Sequence, residues 1–593
     1  MQKKIKYFII SGIFLIIVVA LLSVIYFLLH KNSILPETGG NPNVQETYIV
    51  ELKSEALLDG YQIINNNKDV NSKQATADKF IQINNDQKNV ISGIASKVKL
   101  SETKLTSERN LYSTKAVANT IILKLTASEA NAISSLPNVA SVFPDMQIAA
   151  ALDESVPLIK VPEAWSVNNG SNCNSGKCTD GKGVKIAVVD SGIDYTLPDL
   201  GGCFGLGCKV AGGYDFVNMD PDPMDDHYHG THVAGIIAGT GSKYQGIAPG
   251  ATLYSYKVLG KNGYGYSSAI ILALEMAIDP NHDGNFSDKA DVINFSIQTK
   301  EMPNPWRYMY NKTFARINAV GSVLVVCAGN YGPQASTASI FTYIPGTIVV
   351  GNTTKTDQMN SSSSRGPINY YGWDIKPDVV APGTKICATR AKSYVLPTNF
   401  THTACDAAGQ YFLLTGTSMS TPHIVGVVAL MKQIQTGLNT EQIKSILKSS
   451  SQDLGLPPND QGAGRVNALA AVSAAQRMPD FPVVELENLY TYLATQKEIQ
   501  IKGKITSSNL AKYEIFISPL NKYPQWTLVA ESTKVDSTLL ATIKVNSITP
   551  GNYYLKIVVT DKANQKALDY GYLVISVRPT LKQDYRDPKE SKK

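Results

Sequence analysis

Cysteine is scarce in this chain and absent from its first part: none of the seven precedes Asn172, so any disulfide bonding is confined to residues 173 onward. Charge of one sign is lacking too. The formal charge of +6 is small for 593 residues and predicts no continuous phosphate-binding stripe, so nucleic acid is not an expected partner. Long apolar runs are missing but for one, Tyr7 to Leu29, broken only by Ser11 and Ser23. Hydrophobic content of 43% and charged content of 18% are ordinary for globular material. The length exceeds what one hydrophobic core supports, which predicts several domains.

The Tyr7–Leu29 run is long enough to span a bilayer and shows no small-x-small cleavage site before Lys31. It reads as an uncleaved anchor in preference to a cleaved signal peptide. Lys3, Lys4 and Lys6 place the N-terminus in the cytoplasm and the remainder outside the membrane. Six of the cysteines lie close enough in sequence to pair, Cys173 with Cys178, Cys203 with Cys208 and Cys387 with Cys405, although six cysteines permit fifteen connectivities. An oxidising compartment is implied. Cys327 is left over, in an apolar run where a buried, inert thiol is expected.

Residues 30–45 are rich in Pro, Gly and Asn and read as a linker. Leu35-Pro-Glu-Thr-Gly39 within it matches a sortase signal in the wrong place, far from a C-terminus. From 46 to 151 the pattern is a strand at Thr47 to Leu52 and a long polar helix around Gln74 to Val98. A strand at Thr120 to Leu125, a helix at Ser128 to Ser135 and a strand at Val139 to Val142 complete a small α+β unit. Between 152 and 479 apolar strand-like runs alternate with helical segments of small residues. Strands are predicted at Val184 to Val189, Thr252 to Val258, Val292 to Ile297, Val323 to Cys327 and Thr347 to Val350. Helices are predicted at Gly230 to Ala238, Ser267 to Met276 and Trp306 to Val320. That alternation predicts an α/β domain with a doubly wound, mostly parallel sheet, whose ligand site lies at the carboxyl ends of strands. From 480 to 578 short alternating segments predict an all-β sandwich, and 579–593 a disordered tail.

Three motifs in the α/β region carry chemistry. In Val188-Val-Asp-Ser-Gly-Ile-Asp194 an apolar strand ends in an acid and a glycine turn, which puts Asp190 at the rim of the sheet. In His229-Gly-Thr-His-Val-Ala-Gly235 a histidine opens a helix of small residues. In Gly416-Thr-Ser-Met-Ser-Thr-Pro-His423 a serine, Ser418, opens an apolar helix. A serine hydroxyl is a weak nucleophile, so His229 would take its proton while Asp190 fixes the imidazole tautomer and stabilises the imidazolium. Asn330, at the end of Cys327-Ala-Gly-Asn330, would donate to the oxyanion together with the Ser418 backbone amide.

These motifs, in the order Asp, His, Ser, resemble the subtilase family of serine peptidases over roughly residues 152 to 475. Ile121 to Ala130 and Leu136 to Asp145 resemble the end of subtilase propeptides, which assist folding and block the cleft until removed. The resemblance implies an extracytoplasmic serine endopeptidase made as a self-processing zymogen, with polypeptide substrates, its own propeptide as inhibitor and no catalytic cofactor. It implies that Gly263, Tyr264 and Gly265 accept substrate as an added strand, and that Ser296, Ile297 and Gln298 line the primary pocket. Two positions depart from the family pattern, Tyr228 before the histidine and Gln298, each where glycine is usual.

Calcium is the candidate ion. Asp279, Asn281, Asp283, Asn285 and Asp288 place oxygens at alternate positions as in half of an EF-hand loop, but Ala290 stands where the bidentate glutamate would be. Asp199 matches a calcium ligand of some relatives, without their longer loop after the histidine helix. Two rival readings stand beside the peptidase: a catalytically silent cell-surface binding protein, and a metal-dependent peptidase using His227, His229 and His232.

Overall fold

The computed structural model describes residues 45–54, 70–109, 111–114, 119–144, 152–167, 178–281, 286–302, 304–369, 373–393, 404–406, 408–487, 491–493, 497–520, 523–535 and 537–576. The chain forms two compact units, Met1–Ile148 and Ala149–Lys593.

In the first unit the strands Tyr112–Thr114, Thr120–Leu125, Glu46–Leu52 and Val139–Pro144 lie in that order as an antiparallel sheet. Strand alternation turns Tyr48, Val50 and Leu52, with Ile121, Leu123 and Leu125, into one buried layer. Val90 and Ile94 of the Val70–Val98 helix and Ala130 and Ile133 of the Ala127–Ser134 helix pack into the same core. Thr126 and Glu129 form a capping box that fixes the start of the second of these helices. The α+β pattern expected here is present, with the long helix beginning at Val70 rather than Gln74.

The second unit is built on a seven-stranded parallel sheet. Its order is Val379–Pro382, Thr347–Thr353, Val323–Cys327, Val292–Phe295, Lys185–Asp190, Thr252–Lys257 and Val210–Asp215. Both faces are covered, so strand residues alternate between two cores instead of between core and solvent. Ile186 and Val188 join the core under the helices His229–Ala238 and Thr417–Ile434. Ala187 and Val189 join the core under Ser267–Ile278 and Asn304–Ala319. Chain order reverses between Lys185–Asp190 and Val292–Phe295, which opens a crevice beyond their carboxyl ends. Two strands carried no clear signal: Val210–Asp215, whose apolar run is broken by Gly212 and Gly213, and the short Val379–Pro382, which ends in proline.

Beyond residue 480 a three-stranded sheet (Val483–Leu486, Glu498–Thr506, Leu539–Lys544) accompanies a five-stranded one. The latter has the order Thr491–Leu493, Lys566–Ser576, Gly551–Asp561, Leu510–Pro519, Thr527–Ser532. Val484 and Leu486 belong to the same hydrophobic core as Ile443, Ile446 and Leu447 of the Thr440–Ser450 helix, so this β region shares a core with the α/β sheet. Residues 1–44 and 577–593, and with them the apolar run, most of the linker and the tail, lie outside the described residues. Among the described residues no helix is long and apolar enough to cross a membrane.

Candidate active site

Asp190 is the last residue of the central Lys185–Asp190 strand and is fully buried. His229 opens the neighbouring helix, and its Nδ1 lies 2.7 Å from Asp190 Oδ1. Asp190 Oδ1 also accepts from the Ser191 amide at 2.8 Å. The helix can approach this closely because residue 230 is glycine: a Cβ there would stand 2.2 Å from the Gly192 carbonyl oxygen and 3.2 Å from Asp190 Cβ. Burial by itself pushes the His229 imidazole down, but the Asp190 charge and hydrogen bond outweigh it and raise His229 above the ordinary 6.5.

Behind this pair sits a second buried acid that the motifs did not single out. Asp225 Oδ1 accepts from the Ser191 hydroxyl at 3.0 Å and the His227 amide at 2.9 Å. Its Oδ2 accepts from the Thr231 amide at 3.0 Å and the Thr231 hydroxyl at 2.6 Å. Ser191 Oγ in turn accepts from the Gly230 amide at 2.9 Å. The strand end and the helix start are thereby tied together. Burial moves Asp225 up to about 6, against those hydrogen bonds. An acid four residues before the histidine is the signal that could have found it.

Ser418 is the second residue of the Thr417–Ile434 helix, which is buried from Thr417 to Lys432. Its hydroxyl is at the positive end of the helix and donates to the Ser296 carbonyl at 3.3 Å rather than to His229. Such bonds often tighten only with substrate bound. Asn330 lies just past the Val323–Cys327 strand, and its Oδ1 accepts from the Thr417 amide at 2.9 Å and the Thr417 hydroxyl at 3.1 Å. With its oxygen pinned, the carboxamide has its Nδ2 left to donate. A Cβ on Gly416 would come 3.3 Å from that Nδ2, so glycine keeps the amide uncrowded. Thr417 has no evident role in the serine motif as sequence, and this clamp is what it supplies.

His229, Ser418, Asn330, Gly263, Tyr264, Gly265, Ser296, Ile297 and Gln298 all line one cleft of about 830 Å³, with Asp190 buried behind His229. Gly263-Tyr-Gly265 forms a tight hairpin on its rim, with the Gly260 amide bonded to Tyr264 O at 2.9 Å and the Tyr264 side chain exposed. Gln298 reaches across from Ser296-Ile-Gln298, and its Oε1 accepts the Asn330 amide at 2.6 Å. Tyr228 stacks on His227 at 3.9 Å, filling the space beside the histidine helix.

The three-histidine metal reading is not met. His232 Nε2 donates to the carbonyl oxygens of Ile386 at 3.0 Å and Phe412 at 3.1 Å, and burial moves its imidazole down to about 3. His229 is bound to Asp190, and among the described residues no group of three or more His, Cys, Asp or Glu side chains is placed to hold a metal ion. Asp199 Oδ2 accepts the Tyr411 hydroxyl. Of the polar loop, Asp283 and Asn285 lie outside the described residues; Asp288 Oδ1 is buried without a hydrogen-bond partner among those described, which fits a cation ligand. Cys203–Cys208 and Cys387–Cys405 are disulfides. Cys178 is disulfide-bonded as well, and its expected partner Cys173 lies outside the described residues. Cys327 is free and buried, and burial pushes its thiol up to about 12.

The Subtilase family model matches residues 181–465, and the Peptidase inhibitor I9 model matches residues 47–151. Serine protease AprX of Bacillus subtilis (strain 168) is 35% identical over 355 residues, 57% of this chain and 75% of its own length. Subtilisin E of the same strain is 34% identical over 347 residues, covering 56% and 76%. Thermitase of Thermoactinomyces vulgaris is 31% identical over 321 residues, covering 53% and 93%. Fold and cleft thus define a subtilisin-like peptidase of the α/β class. The chain belongs to the subtilase family: it is a serine-type endopeptidase with an inhibitor-type propeptide domain ahead of its catalytic domain.

Proposed function

We propose that Ser418 is the nucleophile, His229 the general base and then acid, Asp190 its orienting carboxylate, and Asn330 a donor to the oxyanion. The observation that carries this is the convergence of four motif residues from separate chain segments. The Asp190–His229 bond of 2.7 Å, Ser418 at a helix start and an Asn330 amide clamped by Thr417 all serve one cleft. Proton transfer from Ser418 to His229 makes the alkoxide as it attacks the peptide carbonyl. The oxygen charge that develops meets Asn330 Nδ2 and the unpaired amides of the helix start. His229 then protonates the departing amine, and water, activated by the same imidazole, releases the acyl group.

Substrate is held as an added strand along Gly263-Tyr-Gly265, which takes backbone hydrogen bonds and leaves the pockets to choose side chains. The enzyme works outside the cytoplasm and is made as a zymogen, held by the Tyr7–Leu29 segment until it cuts itself free of residues 46–151 and with them of that segment. The disulfides support an oxidising location. Asp279, Asn281, Asp283, Asn285 and Asp288 would hold a structural calcium ion that takes no part in the reaction. A serine-directed fluorophosphonate probe tests the core of this reading: it labels the wild type and not Ser418→Ala. Labelling that survives the substitution overturns the assignment, and peptidase activity that survives it revives a metal mechanism.

A further inference from the structure

The strands Val292–Phe295 and Val323–Cys327 are parallel neighbours, and the chain leaves them as two walls, Ser296-Ile-Gln298 and Ala328-Gly-Asn330. Ser418 Oγ bonds the carbonyl of Ser296 on the first wall, at 3.3 Å. Asn330, whose Nδ2 would receive the oxyanion, stands on the second. The primary pocket that the family resemblance assigns to Ser296, Ile297 and Gln298 lies between these walls, so the side chain on the acyl side of the cut bond would enter there. The Cys327 thiol bonds the Ile297 carbonyl at 3.3 Å, and buried Phe341 lines the same cleft.

Gln298 crosses that slot. Its Oε1 accepts the Asn330 backbone N–H at 2.6 Å, so the Gln298 carboxamide joins one wall to the other. We propose that Gln298 acts as a bar across the primary pocket and restricts the acyl-side residue to small side chains, glycine, alanine or serine. A larger side chain has to push the carboxamide out, which strips the Asn330 amide of its acceptor and loosens the residue whose side chain must receive the oxyanion. The penalty therefore falls on turnover as well as on KM. The inference rests on the catalytic roles proposed above and names the substrate class of the same site.

The test uses purified mature enzyme and a peptide series that differs only at the acyl-side residue, alanine against phenylalanine. The ratio of the two kcat/KM values is independent of the active fraction. The wild type is expected to favour alanine by at least about tenfold, the scale at which a pocket separates side chains by size. Gln298→Gly is expected to move the ratio toward phenylalanine by at least about tenfold, with a contribution from kcat, and Gln298→Ala serves if the glycine loosens the loop. A wild type that takes phenylalanine as readily as alanine, or variants that leave the ratio unmoved, overturns the proposal while leaving the catalytic reading intact. Failure of the wild type both to cut any peptide and to react with fluorophosphonate overturns the catalytic reading, and this inference with it.

Discussion

In the role proposed for it, Asn330 separates binding from chemistry most cleanly. Its side-chain oxygen is committed to Thr417, which leaves Nδ2 to act, and the ground-state carbonyl of a substrate needs that donor less than the oxyanion does. Asn330→Ala is expected to lower kcat by about 10² to 10³ with KM little changed, the loss a subtilisin shows when it gives up such a donor. Steady-state kinetics on one peptide reads this directly, and an equal rise in KM would contradict it. At His229 the sign is fixed by the balance of burial against Asp190. The imidazole must be neutral to accept a proton, and Asp190 holds it above 6.5, so kcat/KM should fall on the acid side with a midpoint above that value. Asp190→Asn should shift the midpoint down as well as cut the rate, and a pH profile that does not move would refute the coupling.

At the scale of elements, the Thr440–Ser450 helix fastens the C-terminal sheets to the α/β sheet through a buried ion cluster. Asp378 receives Lys444 at 3.1 Å, Lys376 at 3.3 Å and Lys448 at 3.4 Å, and Lys448 also bonds Asp569 of the Lys566–Ser576 strand at 2.6 Å. Burial alone would push the Asp378 carboxyl up, but the three lysines hold it well below the usual carboxylate range. Its folded-state pKa being depressed, the stability it contributes is present above the unfolded value near 4. That contribution is lost as pH falls through the folded one. Asp378→Asn leaves three ammonium groups clustered without their shared partner and should cost about 3 to 5 kcal/mol. Urea unfolding at neutral pH checks this. A loss under about 1 kcal/mol would mean that solvent already screens the cluster.

At the scale of the whole molecule, the propeptide domain and the catalytic unit are separate compact bodies with separate cores. A cut between them removes no core residue from either. Processing is expected between about Met146 and Asp153, where the propeptide pattern gives way to Val156-Pro-Leu-Ile-Lys-Val-Pro. Mass spectrometry of the mature N-terminus should find it there in the wild type, and Ser418→Ala should stay full length if the cut is made by the same site. Recovery of active enzyme that retains residues 46–151 would refute the zymogen reading.

The sequence by itself determined the doubly wound sheet and the β-rich C-terminal region, and it singled out His229, Ser418 and Asn330, which line one cleft, and Asp190, which bonds His229. Each depends on local patterns: an acid closing an apolar strand, a histidine or serine opening a helix of small residues, strict alternation in Glu498–Thr506. Val210–Asp215 escaped because two glycines erase its apolar period and its strand character comes from pairing with Thr252–Lys257. Only the tertiary structure could decide the partners: Asp225 behind the Asp190–His229 pair, Thr417 clamping Asn330, Tyr411 on Asp199, and Gln298 reaching the Asn330 amide from 32 residues away in sequence. Hydrogen bonds between segments so far apart leave no period in the chain, because what selects them is tertiary packing, which exists only once the strands have paired.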